Sequence, residues 1–327
     1  MSEKYSKKEL SLIYELSKNS RIPLNQVAKR LKASQQGINY KIKQFQEQGL
    51  IIDFFAIFDY SNLDYDCFRV YFRLNYQKKE QFESLIQHFL TNPSVLSVIP
   101  CSGKWDLIVY FASKNASKFN KVLQTIIDKF PNMFENTEVL TTISSHEFGR
   151  RYLVEHSSHT GTIIYGGDKS ISVLDSTDKK IISILYESPR SSYVKIASKL
   201  KINPKTIIKK IRSLEAKGII KGYSLNLDCY KYNHLPFKIL IKYHHLSKEE
   251  NELLKFCHQN KNIIRLNKTL GFWNLEFDIE VTDTLELNNI ISEIKHKFNS
   301  IILDIDFIQL LRAPKISFIP KSFFLEL

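Results

Sequence analysis

The sequence predicts an α+β protein in which one two-part unit, a helical domain followed by a βαββαβ domain, occurs twice. Ala28 corresponds to Ala197 and Trp105 to Trp273, and such pairs keep a spacing of about 169 residues, far longer than the period of a solenoid. Each copy begins with helical periodicity and then changes to strand-like segments. A duplicated α+β unit explains these observations together.

Composition limits the classes of function. The chain has 327 residues, 43% of them hydrophobic, which is enough to form cores in two or more domains. Lys and Arg number 47 against 34 Asp and Glu, so the net charge is +13. This excess favours a polyanionic partner, with nucleic acid ahead of an anionic membrane surface.

Cysteine usage and the N-terminus indicate the compartment. The four cysteines are scattered without a C-x-x-C pair, which argues against a disulfide framework or a zinc module and fits a reducing compartment. The N-terminal residues form no continuous apolar segment, and no later segment has the roughly eighteen uncharged apolar residues of a membrane span. We expect a soluble, cytoplasmic protein.

Each copy begins with three predicted helices around a small core. In the second copy, we expect Asn203 to cap the third helix, Pro204 to occupy its first position and Gly218 to end it. Ser34 and Gly49 take the corresponding places in the first copy. The short turn between the second and third helices has the length of a helix-turn-helix motif.

The outward face of the third helix is the predicted DNA-binding surface. In the second copy, an inward row of Ile207, Ile211 and Leu214 leaves a cationic ridge that a major groove accepts. A solvated lysine face is the alternative interpretation, but the helix-turn-helix spacing and the net charge favour DNA. The predicted residues of this copy are Lys201, Lys205, Ile208, Lys209 and Arg212, with Lys210, Lys217 and Lys221 around them.

The first copy presents a different set on the same helix, namely Gln35, Gln36, Asn39, Tyr40 and Lys43. Because Gln and Asn pair with adenine edges whereas Lys supplies mainly charge, we hypothesise that copy one reads more sequence and copy two holds more backbone. The rival hypothesis is that copy one has decayed, since Gly37 lies inside its helix and costs about 1 kcal/mol relative to Ala.

After each helical domain the pattern changes to strand, helix, two strands around a glycine turn, helix and strand. In the first copy these segments are 65–76, 79–92, 94–100, 105–112, 117–130 and 135–144. The order βαββαβ predicts a ferredoxin-like domain, with two helices on one face of an antiparallel sheet and the other face free to meet a partner.

These parts together resemble the Lrp/AsnC (feast/famine) transcription regulators. The resemblance lies in a helix-turn-helix ending in EQGLIIDFFAIFDYSNLDY or AKGIIKGYSLNLDCYKYNH, followed by βαββαβ. It implies a non-enzymatic regulator that binds double-stranded DNA and dimerises through its sheets. Here one chain supplies both halves as a pseudo-dimer, and further homo-oligomerisation is left open. The predicted domains are 1–62 and 175–230 (helix-turn-helix), 63–150 and 231–327 (ferredoxin-like), with a linker at 151–174.

The resemblance also nominates an effector site at the glycine turn of each ferredoxin-like domain. Gly103 and Asp106 match the family pattern, so Asp106 is expected to receive the α-ammonium group of an amino acid. In the second copy Gly271 is kept, but Asn274 replaces the carboxylate and pairs less strongly with a cation. The alternative is that the glycines serve a tight hairpin while the adjacent tryptophans pack in the core.

The linker is rich in Gly, Ser and Thr, and TIIY within it is a candidate short strand. His156 and His159 lie there at an H-x-x-H spacing, without the Cys or carboxylate set that would complete a metal site. We predict neither a metal nor a cofactor. The sequence does not decide whether Arg150 and Arg151 contact DNA or acidic residues.

Two other functions fit this fold. Sirohaem decarboxylases resemble the same family but typically carry R-R-x-G after the helical domain, where this chain has IIDFFAIFD and IIKGYSLNL. The sequence contains no P-loop, G-x-G-x-x-G, G-x-S-x-G or H-E-x-x-H motif. The other alternative, a ligand sensor that has lost DNA binding, is disfavoured by the net charge of +13.

Overall fold

Two helical domains and two βαββαβ domains form this chain, which confirms the predicted α+β tandem fold. The structure, a computed structural model, describes residues 5–155, 161–244 and 247–325. His156 and His159 lie outside the described residues. None of the described helices is long and apolar enough to cross a membrane.

The first copy, called unit 1 here, extends from α1 through the segment that follows β5. Its predicted strands and helices all form, with ends shifted by a few residues. They are α1 (Lys7–Lys18), α2 (Leu24–Arg30), α3 (Gln35–Glu47), β1 (Ile51–Phe58), β2 (Asp66–Leu74), α4 (Lys79–Thr91), β3 (Val95–Ser102), β4 (Leu107–Ser113), α5 (Ala116–Lys129) and β5 (Phe134–Glu147).

The second copy, unit 2, repeats this order after a short strand, β6 (Ile163–Gly166), which pairs with β5 at the predicted position of TIIY. Its elements are α6 (Ser176–Glu187), α7 (Tyr193–Leu200), α8 (Pro204–Ala216), β7 (Ile220–Leu227), β8 (Leu235–Tyr243), α9 (Ser247–Gln259), β9 (Ile263–Leu270), β10 (Leu275–Val281), α10 (Thr284–Lys297), β11 (Ile302–Leu310) and α11 (Ser322–Leu325).

Strand order within each unit is that of a ferredoxin-like sheet, β5-β2-β4-β3 in unit 1 and β11-β8-β10-β9 in unit 2. One face of each sheet packs against the two helices of its own unit. In unit 1, for example, Phe72 and Phe111 contact Phe89 and Phe119 from α4 and α5. Because successive side chains of a strand point to opposite faces, one face of each sheet packs against helices of its own unit and the other face is left for the other unit.

The two sheets join at both edges. β5 pairs with β9 from Thr141 to Glu147, and β11 pairs with β3 through Gln309 and Leu310. Because β5 also pairs with β2, these strands close into a ring, called the strand ring below. Its interior holds the buried Trp105 and Trp273. This closure is the pseudo-dimer expected from the duplication.

The helical domains are tied together by a second contact between the units. β1 pairs antiparallel with β7, so the strand that follows each helix-turn-helix pairs with its counterpart. Leu225 and Leu227 of β7 complete the core of the unit 1 helices. Ala56 and Ile57 of β1 pack in the same cluster as the unit 2 helices. Each helical domain thus depends on a strand of the other unit.

The chain after β11 folds back over unit 1. Lys315 forms a bridge with Val98 of β3, and Phe318 and Phe323 join the cluster that contains the unit 2 helices. The ammonium group of Lys315 is buried and has no hydrogen-bond partner among the described residues. Burial, reinforced by the charge of Lys321, lowers the pKa of Lys315 from 10.5 to about 8.

This lowered pKa leads to a pH-dependent prediction. The folded chain prefers the neutral amine, so Lys315 costs no stability above its unfolded pKa of 10.5, and the cost grows as the pH falls and is complete below about 8. We expect Lys315→Met to raise the free energy of unfolding by about 2 kcal/mol at neutral pH, with a gain that shrinks toward zero near pH 10. Urea unfolding followed by circular dichroism measures both, and Lys295→Met, at an exposed position of α10, is the control. An equal gain at both pH values would contradict the prediction.

Candidate nucleic-acid interface

The third helix of unit 2 begins and ends as the sequence predicts. The Asn203 side chain accepts a hydrogen bond from the Lys205 amide at 2.9 Å, and Pro204 occupies the first helical position. Gly218, just after the helix, has φ +69°, the left-handed conformation that favours glycine. These contacts set where α8 starts and stops, and therefore which of its residues point outward.

The third helix of unit 1 is capped by a different contact. The Ser34 hydroxyl accepts a hydrogen bond from the Gly37 amide at 3.0 Å. A Cβ atom at Gly37 would lie 3.0 Å from the same Ser34 Oγ, which is closer than ordinary van der Waals contact. Ser192 caps α7 in the same way through the Lys195 amide at 3.1 Å, so this cap does not require glycine, and the decay of unit 1 stays a hypothesis.

Both turns before the third helix contain a lysine in the left-handed region. Lys32 has φ 48° and Lys201 has φ 56°. The turns are closed by hydrogen bonds from the Ala33 amide to the Ala28 carbonyl and from the Ile202 amide to the Ala197 carbonyl, at 2.9 and 3.0 Å. The identical turns orient α3 and α8 in the same way within their domains.

The predicted inward and outward faces of these helices are present. Ile38, Ile42 and Phe45 of α3 are buried, as are Ile207, Ile211 and Leu214 of α8. Ile208 is half-buried, so its side chain is less accessible to DNA than the charged residues of the ridge. The other predicted DNA-binding residues are exposed, namely Gln35, Gln36, Asn39, Tyr40, Lys43, Lys201, Lys205, Lys209 and Arg212.

Two lysines expected to flank the ridge form ion pairs within the protein. Lys210 contacts Asp175 at 2.5 Å and Asp178 at 2.9 Å, and Lys221 contacts Asp59 at 3.3 Å. Carboxylates of neighbouring elements thus compete with phosphate for these two lysines, and their contact with DNA stays a prediction. Among the described residues, no ion pair involves the exposed cations of the ridge itself, Lys205, Lys209 and Arg212.

Two arginines that the sequence did not single out connect the helical domains. Arg21, between α1 and α2, donates to the carbonyls of Pro189 and Ser191 at 2.6 and 2.8 Å and stacks on Tyr193. Arg190 takes the equivalent place in unit 2 and lies over Phe54 of β1. The sequence signal for this role was that an arginine occurs at the same position of both copies.

The two arginines left undecided by the sequence, Arg150 and Arg151, serve the interior. Arg150 donates to both carboxylate oxygens of Glu280 at 2.9 Å. Arg151 donates to the backbone carbonyls of His258 and Asn260. Neither side chain is available for DNA in this arrangement, since their hydrogen-bond donors are directed into the protein.

Comparison with known proteins agrees with this geometry. The winged helix-turn-helix DNA-binding family matches residues 6–52 and 174–221, which contain the two helical domains. An uncharacterised HTH-type transcriptional regulator of Pyrococcus furiosus is 31% identical over 110 residues, covering 33% of this chain and 70% of that protein. The regulator LrpA of Pyrococcus horikoshii is 36% identical over 62 residues, or 19% of this chain and 44% of LrpA.

The chain belongs to the Lrp/AsnC family of transcription regulators. It is a DNA-binding regulator in which two family units occur in tandem. A solved structure, the siroheme decarboxylase NirDL in complex with an iron-uroporphyrin III analogue, has 14% identity, a TM-score of 0.59, and covers 98% of this chain and 97% of its own. At this identity the likeness to NirDL concerns the fold alone.

The glycine turns of this Lrp/AsnC chain lie where the two units meet. Asp106 accepts a hydrogen bond from the Leu74 amide at 2.9 Å, and Asn274 accepts one from the Tyr243 amide at 3.0 Å. Carboxylate and amide therefore make the same contact at the end of β2 and β8. A Cβ atom at Gly271 would lie 2.5 Å from the Leu140 side chain, so this glycine allows a close approach between the units.

This shared contact predicts different effects for two substitutions. Asp106→Asn keeps an acceptor for the Leu74 amide and should change the free energy of unfolding by less than about 0.5 kcal/mol, whereas Asp106→Ala leaves that amide unpaired and should cost about 1–2 kcal/mol. Urea unfolding of both variants measures the difference. Equal losses would show that the exposed contact with Arg73, at 3.4 Å, matters more than the strand-end contact.

Proposed function

We propose that this regulator binds double-stranded DNA by placing α3 and α8 in the major groove. The observation that carries the proposal is the exposed outer face of both helices, with cations at Lys205, Lys209 and Arg212 that have no ion-pair partner among the described residues. A helix presents its outer side chains to base edges and phosphates in a groove of this width. Contacts to phosphate supply most of the affinity and make it salt-dependent.

The two helices have different tasks in this proposal. Gln36 and Asn39 of α3 carry amides that pair with adenine edges, and Tyr40, 68% exposed, offers a stacking or hydrogen-bonding surface beside them. Lys205 and Lys209 occupy the positions of Gln36 and Tyr40 in α8 and supply charge. Unit 1 therefore reads more of the sequence, and unit 2 holds more of the backbone.

The first prediction of this proposal concerns salt. We expect wild type to bind random-sequence duplex with an affinity that falls steeply with salt, and Lys205→Ala/Lys209→Ala/Arg212→Ala to make the log–log slope shallower by about 2–3. Fluorescence anisotropy across a salt series measures both. Lys118→Ala/Lys121→Ala/Lys295→Ala, three exposed positions on α5 and α10, removes the same charge away from the ridge and should leave the slope near that of wild type.

Absence of binding at low salt, or the same salt slope for all three proteins, would show that the cations of the ridge do not contact phosphate and would contradict the proposal. A Soret band on addition of an iron tetrapyrrole would then favour the alternative of a decarboxylase-like enzyme.

A second prediction separates the tasks of α3 and α8. Gln36→Lys/Asn39→Ile/Tyr40→Lys/Lys43→Arg gives α3 the outer face of α8, and it should lose sequence preference while keeping general affinity. The reverse exchange, Lys205→Gln/Ile208→Asn/Lys209→Tyr/Arg212→Lys, should lower general affinity and keep the preference. Selection of bound duplexes from a random pool reads the preference, and an unchanged preference after the first exchange would refute the division.

Four finer properties complete the proposal. We propose that the chain is not an enzyme, which the regulator names of its relatives support. A cytoplasmic location follows from a DNA partner. An amino-acid effector at Gly103 and Asp106 remains a prediction, and so do the domain boundaries at 62, 150, 174 and 230.

A further inference from the structure

Buried charges cross the contact between the two units. Among the described residues, three ion pairs join unit 1 to unit 2 with both side chains at most 16% exposed. They are Arg69 with Glu276, Glu147 with Arg265, and Arg150 with Glu280. Their signs alternate, because unit 1 supplies a cation, an anion and a cation.

Arg69 and Glu276 form the most enclosed of these pairs, with side chains 2% and 0% exposed. Across its own sheet Arg69 faces Tyr110, which carries no charge, so its carboxylate partner Glu276 comes from unit 2. The guanidinium also donates to Thr142 at 2.9 Å and to Asn267 at 2.7 Å. Burial raises the pKa of Glu276, but Arg69 and Lys238 outweigh this and hold it below its usual value.

The other two pairs lie toward the end of the strand ring. Glu147 and Arg265 face each other across β5 and β9, with Oε1 2.5 Å from Nε. The carboxylate of Glu280 receives two hydrogen bonds from Arg150 and a third from Tyr152. All six charged groups are thus satisfied by groups of the opposite unit or by neighbours beside them.

The internal duplication allows a comparison that a single domain would not. If the units were identical, each of these pairs would occur twice, related by the pseudo-two-fold axis. The equivalent positions hold no ion pair. In the same order, they are Lys238 with Ile108, Lys315 with Ser97, and Phe318 with Ala112.

The surroundings of these equivalent positions confirm the asymmetry. Lys238 bonds to Asp278 within its own unit, where Arg69 has the neutral Tyr110. Lys315 lies beside β3, with its carbonyl accepting from the Val98 amide at 3.1 Å and its ammonium group unpaired among the described residues. Phe318 packs in an apolar cluster that also contains Ala112. The buried ion pairs between the units are therefore confined to one side of the pseudo-two-fold axis.

We propose that these three ion pairs restrict the sheet contact to unit 1 with unit 2 and exclude pairing of like units. Two copies of unit 1 in the same geometry would bury Arg69, Glu147 and Arg150 against Ile108, Ser97 and Ala112. A buried charge without a partner is strongly destabilising, even where the paired form adds little net stability. Such repulsive features determine which partners associate.

Two copies of unit 2 would meet a different conflict. Lys238 would find Glu276 of the second copy, but Lys315 would face the like-charged Arg265, and Phe318 would cover Glu280. Unit 1 homodimers and unit 2 homodimers are therefore both disfavoured, and different residues are responsible in each. This allows each unit to be tested by a separate substitution.

The test uses the full chain with a specific protease site introduced between Glu155 and Gly161. The protein is folded, cleaved, unfolded in urea and refolded by dilution, and native mass spectrometry then counts the complexes. Pairing without preference would give about half of the complexes as unit 1 with unit 2. We expect almost all of them to have this composition, and homodimers near the random share would overturn the proposal.

Two variants assign the preference to the ion pairs. Arg69→Met makes the most enclosed position of unit 1 uncharged and should raise the share of unit 1 homodimers at least tenfold above wild type. Arg73→Met, on the same strand but 42% exposed, is the matched control and should leave the shares unchanged. Lys315→Glu removes the conflict with Arg265 and should raise the share of unit 2 homodimers, leaving a matching amount of unit 1 as monomers. If the homodimer shares are unchanged in both Arg69→Met and Lys315→Glu, these charges do not cause the preference. The cleaved wild type tests the pairing preference itself, independently of either variant.

Discussion

Strand pairing between the two units is the constraint on which the rest of this structure depends. Each four-stranded sheet has helices on one face only, so alone it would expose an apolar face and two unpaired edges to water. β5 with β9 and β11 with β3 remove those edges, and closure buries Trp105 and Trp273 between the sheets. The additional pairing of β1 with β7 extends this dependence to the helical domains, whose cores each take residues from the opposite strand.

The interior of the strand ring is more polar than an ordinary core. Arg69, Lys238, Glu276 and Asp278 are all buried there and bonded to one another or to neighbouring polar groups. Desolvation offsets much of the attraction in such a cluster, so its effect on stability is small compared with its effect on which arrangement is allowed. The apolar residues around it supply the stability, and the charges supply the selectivity.

Much of the fold could be predicted from local patterns. Helix and strand segments follow from periodicity, and the caps at Ser34 and Asn203 follow from residue types that compete for backbone amides. The pairing of β1 with β7 and the ion pairs across the ring could not, because they join residues that are far apart in sequence. The same reason explains why the sequence did not predict the ion pairs of Lys210, since a position on the helix flank does not reveal that Asp175 and Asp178 lie beside it. Exposure of the α3 and α8 faces was predictable. The contacts of Arg21 and Arg190 were not, because each joins one helical domain to the other.

The difference between the outer faces of α3 and α8 has a consequence for the orientation of the protein on a promoter. A homodimer with two identical recognition helices reads a palindrome, which looks the same from either direction. A particle with amides on one helix and lysines on the other has a polarity, so an operator and its inverted copy are two different ligands. If α3 and α8 bind DNA as proposed, the direction of the operator alone determines on which side of it unit 2 lies.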